Sequence, residues 1–253
     1  VRGCGNLWDD TDRSGFDEAI AAAKDADAVI LCLGEPQNYS GEGNSRIDII
    51  LPGVQNELAA AVAAANPNTV ALTFSGRPLD LTAMDKTVPA ILHMWFPGTE
   101  GGNAAANLLF GRANPNGKLS MSFPKAVGQC PIYYNHTMTG RPKRNPEHIH
   151  AGYTSNYIGC GNLPLYSFGH GLSYANFVYE GLTLDRDSMT KDGTITATVT
   201  ILNDSDVSGK EVVQLYVSAP NGKLHKEYQS LAAFAKTKVL SPGQKQALAI
   251  SFD

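Results

Sequence analysis

No apolar run in this chain reaches the roughly 18 consecutive positions that a membrane-crossing helix requires. The longest candidate, around Ala59 to Ala65, is short and alanine-rich, so no membrane partner is expected. Clustered basic charge is missing too: lysines and arginines are scattered and the formal net charge is -4, which leaves no electrostatic footprint for nucleic acid. Cysteine is sparse. Cys4, Cys32, Cys130 and Cys160 form no C-x-x-C pair, so neither a zinc site nor a disulfide framework is written here. Cys32, inside an apolar run, reads as a small core hydrophobe. Gly98, Gly101 and Gly102 do not fit G-x-G-x-x-G, and no P-loop Lys-Ser/Thr pair follows them. Ser75 in "TFSGRP" lacks the G-x-S-x-G elbow of a hydrolase nucleophile. His148 and His150 in "HIH" have a metal-compatible spacing but no third ligand nearby in sequence. No metal and no cofactor is expected. The chain opens on Val1 without a signal-peptide layout, and reads as a piece of a longer polypeptide.

What is present is an ordinary globular composition, 43% hydrophobic and 17% charged over 253 residues, enough for one large core or two moderate ones. "FDEAIAAAKDAD" spaces Phe16, Ala19, Ile20 and Ala23 as a helix, with Ser14 available as its cap and Asp17 and Glu18 in the first turn. "AVILCLG" is a continuous apolar run and reads as a strand buried on both faces. "LPGVQNELAAAVAAANP" predicts a second helix that starts near Pro52 and ends before Pro67. "TVALTFSG" and "AILHMWFPG" are further strands, "LDLTAMDK" a short helix, and "TEGGNAAANLLFG" a helix stopped by Gly111. Strands that alternate with helices in this way imply crossovers and a mostly parallel sheet sandwiched by helices, an α/β unit over residues 1–124.

Residues 125–171 hold many Pro, Gly and Asn and show no sustained period, so they read as an irregular connection. From residue 172 to residue 253 the pattern alternates, as in "GTITATVTILND", "EVVQLYVSAP" and "KQALAISFD", with turn signals at Asp192-Gly193, Asn221-Gly222 and Pro242-Gly243. This predicts a smaller all-β, fibronectin-like sandwich. It is expected to be incomplete, since such sandwiches usually take seven strands in about 100 residues.

Ligands of open α/β sheets meet the loops at the carboxyl ends of the strands, and "GEPQNYSGEGNSR", residues 34–46, follows the first strand at such an end. Glu42 is the candidate catalytic residue there, flanked by Gly41 and Gly43, which permit backbone angles that other residues resist and clear space beside the carboxylate. Spacing alone favours the plainer reading, a flexible turn with a solvated glutamate. Glu35 reads as loop support, held against nearby backbone or Arg46. Arg46 is a candidate for ligand contact or for an ion pair with Glu35 or another acid. Trp95, at a strand end, is a candidate stacking platform or a packing residue. His93 reads as a hydrogen-bonded interior histidine.

The string "GEPQNYSGEGNSRIDIILPGVQNELAAAV" resembles the second domain of glycoside hydrolase family three, especially β-glucosidases of the bacterial periplasmic type. "SGRPLDL", "AILHMWFPGTEGGNAAANLLFGRANPNGKLSMSFP", "VGQCPIYYNHTMTGRP" and "PLYSFGHGLSYANF" follow in the family's order, and "SLAAFAKTKVLSPGQ" looks like its fibronectin-like third domain. The resemblance implies retaining hydrolysis of a terminal β-linked sugar through a covalent glycosyl-enzyme, with two carboxyl groups roughly 5 to 5.5 Å apart. In the family the nucleophile is an aspartate on an N-terminal (β/α)8 barrel, and the acid/base glutamate matches Glu42. A glutamate in that role needs its proton held above the usual carboxylate range, which takes desolvation or nearby negative charge, and docking of the barrel would supply both. Such a barrel takes about 250 residues and is not among these, so the chain alone is expected to be inactive, with the barrel and a β-glucoside or oligosaccharide as its partners. One departure is Ser45, where family members often carry Asp before the arginine. The resemblance favours a periplasmic or secreted location and leaves a homodimer open. The rival reading is a noncatalytic carbohydrate- or protein-binding module of the same architecture.

Overall fold

The computed structural model describes residues 1–137, 139–142, 152–219 and 223–253. His148, His150 and the turn pair Asn221-Gly222 lie outside the described residues. The first unit runs α1 (Phe16–Asp25), β1 (Val29–Gly34), α2 (Gln55–Ala65), β2 (Thr69–Phe74), α3 (Thr82–Asp85), β3 (Ala90–His93) and α4 (Gly101–Leu109). Its strands form a parallel sheet in the order β1-β2-β3, with Leu31 opposite Ala71 and Ala71 opposite Ile91. Side chains alternate across a strand, so Val29, Leu31, Leu33, Ala71 and Ile91 share the face that packs into a core with Phe16, Ala23, Leu58, Val62, Met84 and Phe123.

Two expectations fail at the start of this unit, for local reasons. β1 is not buried on both faces: Ile30 and Cys32 are exposed, because among the described residues β1 is an edge strand paired with β2 alone, and the core shared with α1 and α2 lies on its other face. A continuous apolar run records composition and says nothing about which strand is the edge. Cys32 is therefore not a core residue. Ser14 is not the cap of α1 either; Gly15 occupies that position without a side-chain cap, and the Ser14 N–H donates to Asp12 Oδ1 at 2.8 Å.

The end of β1 is tied down by a side chain. Glu35 N–H donates to Phe74 O at 2.9 Å, so in a parallel ladder the N–H and C=O of Gly34 point the other way, toward the free edge. There the Gln55 carboxamide takes both: its Oε1 accepts from Gly34 N–H at 2.7 Å and its Nε2 donates to Gly34 O at 2.9 Å and to Pro52 O at 3.1 Å. One amide thus stands in for one residue of a neighbouring strand. Gly34 itself must be glycine, since a Cβ there would lie 2.1 Å from Phe74 O.

The second unit contains β4 (Phe177–Leu184), β5 (Ile195–Asn203), β6 (Val212–Val217), β7 (Ser230–Lys236) and β8 (Lys245–Phe252). All pairings are antiparallel, β4-β5-β8 in one sheet and β6-β7 in the other. β5 alternates strictly between buried and partly buried positions, and its Val199 and Ile201 meet Val213, Leu240, Leu248 and Ile250 in the core of the sandwich. An α/β unit followed by an all-β sandwich is the expected fold class. Polar contacts join the two: Lys118 Nζ lies 3.2 Å from Glu211 Oε1, which also accepts from Tyr179 Oη at 2.9 Å, and Asn114 Nδ2 donates to Ser208 O at 3.0 Å.

Gln55 is 2% exposed, so Gln55→Leu strands two buried backbone groups of Gly34 while keeping the volume. A buried group left unpaired costs about 1–3 kcal/mol, so stranding two is expected to cost about 2–6 kcal/mol, read as a lower urea midpoint with an unchanged slope.

Candidate functional site

The chain leaves the sheet at Glu35, passes Pro36 and makes one 3-10 turn at Gln37–Tyr39. It then folds back through a tight turn in which Asn44 N–H donates to Gly41 O at 3.3 Å and Asn44 Nδ2 to Asn38 O at 3.1 Å. Gly41 and Gly43 have φ of 133° and 78°, angles that a side chain resists. A Cβ on either would meet nothing within 4 Å, so backbone angle, and not crowding, is what calls for glycine. Glu42 sits between them at the tip of the turn, exposed to solvent.

Below the turn lies a buried charge cluster. The Glu35 side chain is 1% exposed and accepts from Arg46 Nη1 at 2.6 Å through Oε1 and from Arg77 Nε at 3.2 Å through Oε2. Arg77 also donates through Nη2 to Tyr39 O and, at 3.4 Å, to Ser40 Oγ. The Arg46 guanidinium lies 5.3 Å from the centroid of the Tyr39 ring, within cation–π range. Arg46 is thus paired with Glu35 in the structure. Arg77 is the residue that sequence reasoning did not single out. It follows β2 within "SGRPLDL", and the rule that functional loops gather at the carboxyl ends of parallel strands is the signal that would have flagged it.

Trp95 is placed elsewhere. It has φ of 52° and packs edge-on with His93 at a centroid separation of 4.4 Å and with Phe123 at 5.8 Å, against the core of the α/β unit. Among the described residues its ring contacts are with His93 and Phe123, and none is with the turn that carries Glu42. Ser75 is fully buried and its hydroxyl donates to Arg77 O at 2.6 Å, which shapes the Arg77 loop. Among the described residues no three His, Cys, Asp or Glu side chains converge where a cation would sit. Among the same residues no helix is long and apolar enough to cross a membrane.

Comparison with known proteins assigns both units. Residues 7–174 match the model of the glycosyl hydrolase family 3 C-terminal domain, and residues 211–253 match that of the fibronectin type III-like domain. The chain is 43% identical over 238 residues to the periplasmic beta-glucosidase of Salmonella typhimurium, covering 94% of this chain and 31% of that protein. It is 38% identical over 247 residues to a beta-xylosidase of Formosa agariphila, covering 97% of this chain and 33% of that one. In three dimensions it resembles a beta-glucosidase from Listeria innocua solved in complex with isofagomine, with a TM-score of 0.89 and 37% identity over 97% of this chain and 34% of that chain. These relatives are glycoside hydrolases by name, and the chain belongs to glycosyl hydrolase family 3. It spans about a third of the length of the curated relatives it matches.

His93 closes the carboxyl end of β3. Its Nδ1 shares a 2.8 Å hydrogen bond with Thr73 Oγ1, and its Nε2 is buried without a hydrogen-bond partner among the described residues. Burial lowers its pKa from the ordinary 6.5 to about 4. Because the folded value is the lower one, the unfolded chain takes up the proton first as pH falls. The contribution of His93 is therefore present above about pH 6.5 and is lost progressively down to about pH 4, at a cost of at most ~3 kcal/mol. His93→Gln is expected to flatten this part of the pH dependence: its melting temperature should fall less between pH 7 and pH 4.5 than that of the unaltered chain.

Proposed function

We propose that this chain is the acid/base-bearing part of a retaining, exo-acting β-glycosidase that removes terminal non-reducing β-linked glucose from oligosaccharides or glucosides. The observation that carries the reading is the exposed Glu42 carboxyl on a glycine-flanked turn at the carboxyl end of β1, in a chain of a glycoside hydrolase family. In this reading residues 1–124 carry the acid/base turn, 125–171 connect, and 172–253 form the fibronectin-like unit.

The second carboxyl group belongs to an aspartate on a (β/α)8 barrel of the same polypeptide. That aspartate attacks the anomeric carbon as the bond to the leaving oxygen breaks, and Glu42 delivers its proton to that oxygen. Water then enters, gives its proton to the Glu42 carboxylate and releases the sugar from the aspartyl ester. An acid that is fully wet in isolation suits this division, because docking the barrel over the turn excludes water only when the pair is assembled. Two apolar side chains at the same rim support a covering domain. Ile47, next to Arg46, is 98% exposed, and Phe96, after β3, is 60% exposed. The beta-glucosidases and the beta-xylosidase among the relatives differ in the sugar their names give, so glucose is the choice most of those names favour.

In the polypeptide that includes the barrel, Glu42→Gln is expected to slow hydrolysis of phenyl β-glucoside by about 10²–10⁴-fold, the usual worth of a general acid. Hydrolysis of 2,4-dinitrophenyl β-glucoside through the first bond cleavage should be nearly unaffected, since that leaving group departs without a proton. Equal loss on both substrates would remove Glu42 from the acid role. The chain alone is expected to release no nitrophenol from an aryl β-glucoside, and tight sugar binding by the chain alone would favour a noncatalytic module.

A further inference from the structure

Ten residues, 36–45, separate Glu35 from Arg46, and the ion pair between those two, 2.6 Å long, closes the span at its base. The span is held a second time in its middle. Arg77 reaches from the loop after β2 to Tyr39 O and Ser40 Oγ while its Nε keeps hold of Glu35. Behind Ser40 the packing is tight: a Cβ on Gly76 would lie 2.7 Å from Ser40 Oγ and 2.7 Å from the Phe96 ring. Glu35 is itself immobilised, because its N–H is bound to Phe74 O across the sheet. Three attachments therefore fix residues 35, 39–40 and 46, and the part projecting beyond them is the short tip 41–45 with Glu42 on it.

Stability alone does not account for such a cluster. A buried carboxylate with two guanidinium partners carries a large desolvation cost, and apolar side chains of similar volume often stabilise as well or better. Geometry does account for it. The guanidinium is a planar fork that can hold a carboxylate and a carbonyl at once, which a lysine ammonium at the end of a flexible stem does not reproduce.

We infer that Arg77, acting through Glu35 and the Tyr39–Ser40 backbone, is a positioning residue that sets the height and direction of the Glu42 turn for proton donation. The inference rests on the acid/base reading of Glu42. Arg77 touches neither the sugar nor the reacting oxygen in it; it fixes the base on which the acid stands. A misplacement of about 1 Å can cost on the order of 10²-fold in rate, and here the loss falls on the protonation step.

The test uses the polypeptide that includes the barrel, with phenyl and 2,4-dinitrophenyl β-glucosides. Arg77→Met is expected to lower kcat/KM on the phenyl substrate, which reports the first bond cleavage, by about 10- to 100-fold, and to leave kcat/KM on the dinitrophenyl substrate within about threefold. Arg77→Lys should fall between the two. Unchanged phenyl rates in Arg77→Met overturn the inference, and so does an equal loss on both substrates, which marks general damage. Glu42→Gln run alongside separates the two failures. If it alone shows the leaving-group pattern, the acid/base reading stands and the clamp falls; if it lacks the pattern, the acid/base reading itself falls. A second measurement needs no catalysis: amide hydrogen exchange in this chain. Arg77→Lys is expected to speed exchange at Tyr39 and Ser40 by at least about tenfold with α2 unchanged, and equal exchange in the two proteins overturns the clamp.

Discussion

A carboxylate shut away from water at the end of an edge strand, and shared by two guanidinium groups, is the constraint from which the geometry of this domain's rim follows. Arg46 and Arg77 both reach the Glu35 carboxylate in that buried position and supply its partners there. Each arginine arrives from a different part of the chain, one from the far side of a ten-residue excursion and one from the loop after β2. Satisfying one buried charge therefore fastens three segments together.

That cluster works only if β1 ends in a defined place, and β1 is an edge strand with one solvent-facing side. An unpaired edge leaves N–H and C=O groups free, and at Gly34 these would be the last groups before Glu35. Gln55 removes the problem with a single carboxamide projected from the first turn of α2. The helix start, the strand end and the charge cluster thus form one sequence of dependencies: α2 fixes Gly34, Gly34 fixes Glu35, and Glu35 gathers the arginines. The nearly glycine-only approach of Gly34 to Phe74 is the same dependency seen from the other edge, where the backbones of β1 and β2 come too close for a side chain.

Much of this fold is legible in the sequence because its parallel strands are continuous apolar runs and its helices carry the 3.6-residue period; β1, β2, β3, α1, α2 and α4 all fall inside the segments that those patterns select. β5 is legible for the opposite reason, a strict alternation in "ITATVTILN" that the burial of alternate positions reproduces. Two strands are not picked out by pattern. β4 has a bulge between Glu180 and Leu182 that breaks the period, and β7, "SLAAFAK", carries alanines and one phenylalanine where alternation would need a stronger contrast. The exposure of Ile30 and Cys32 is likewise invisible, since it depends on strand order, which no local window encodes. At the candidate site the acidic turn is legible through Gly41, Glu42 and Gly43, whereas Arg77 is not: thirty-one positions separate it from Arg46, and only the parallel pairing of β1 with β2 brings their loops side by side.

The join between the α/β unit and the sandwich obeys the same logic as the rim. Glu211, at the start of β6, is buried and takes hydrogen bonds or charge from Lys118 and Tyr179; burial first, and then the neighbouring carboxylate, push the Tyr179 hydroxyl up. Lys118 also donates to Gly171 O at 2.8 Å, and Gln214 Nε2 to Gly169 O at 3.0 Å, so the segment that looks like an irregular connection in sequence is pinned from both sides where it enters the sandwich. A stretch rich in Gly and Pro is not thereby a loose linker; its backbone groups still need partners, and here charged and amide side chains of the two flanking units provide them. In both places a small number of buried polar contacts, each joining segments far apart in sequence, does what a continuous hydrophobic interface would do less directionally. Apolar contact can slide with little change in energy, whereas a carboxylate held by a guanidinium, or a carbonyl held by an ammonium, has one geometry that satisfies it.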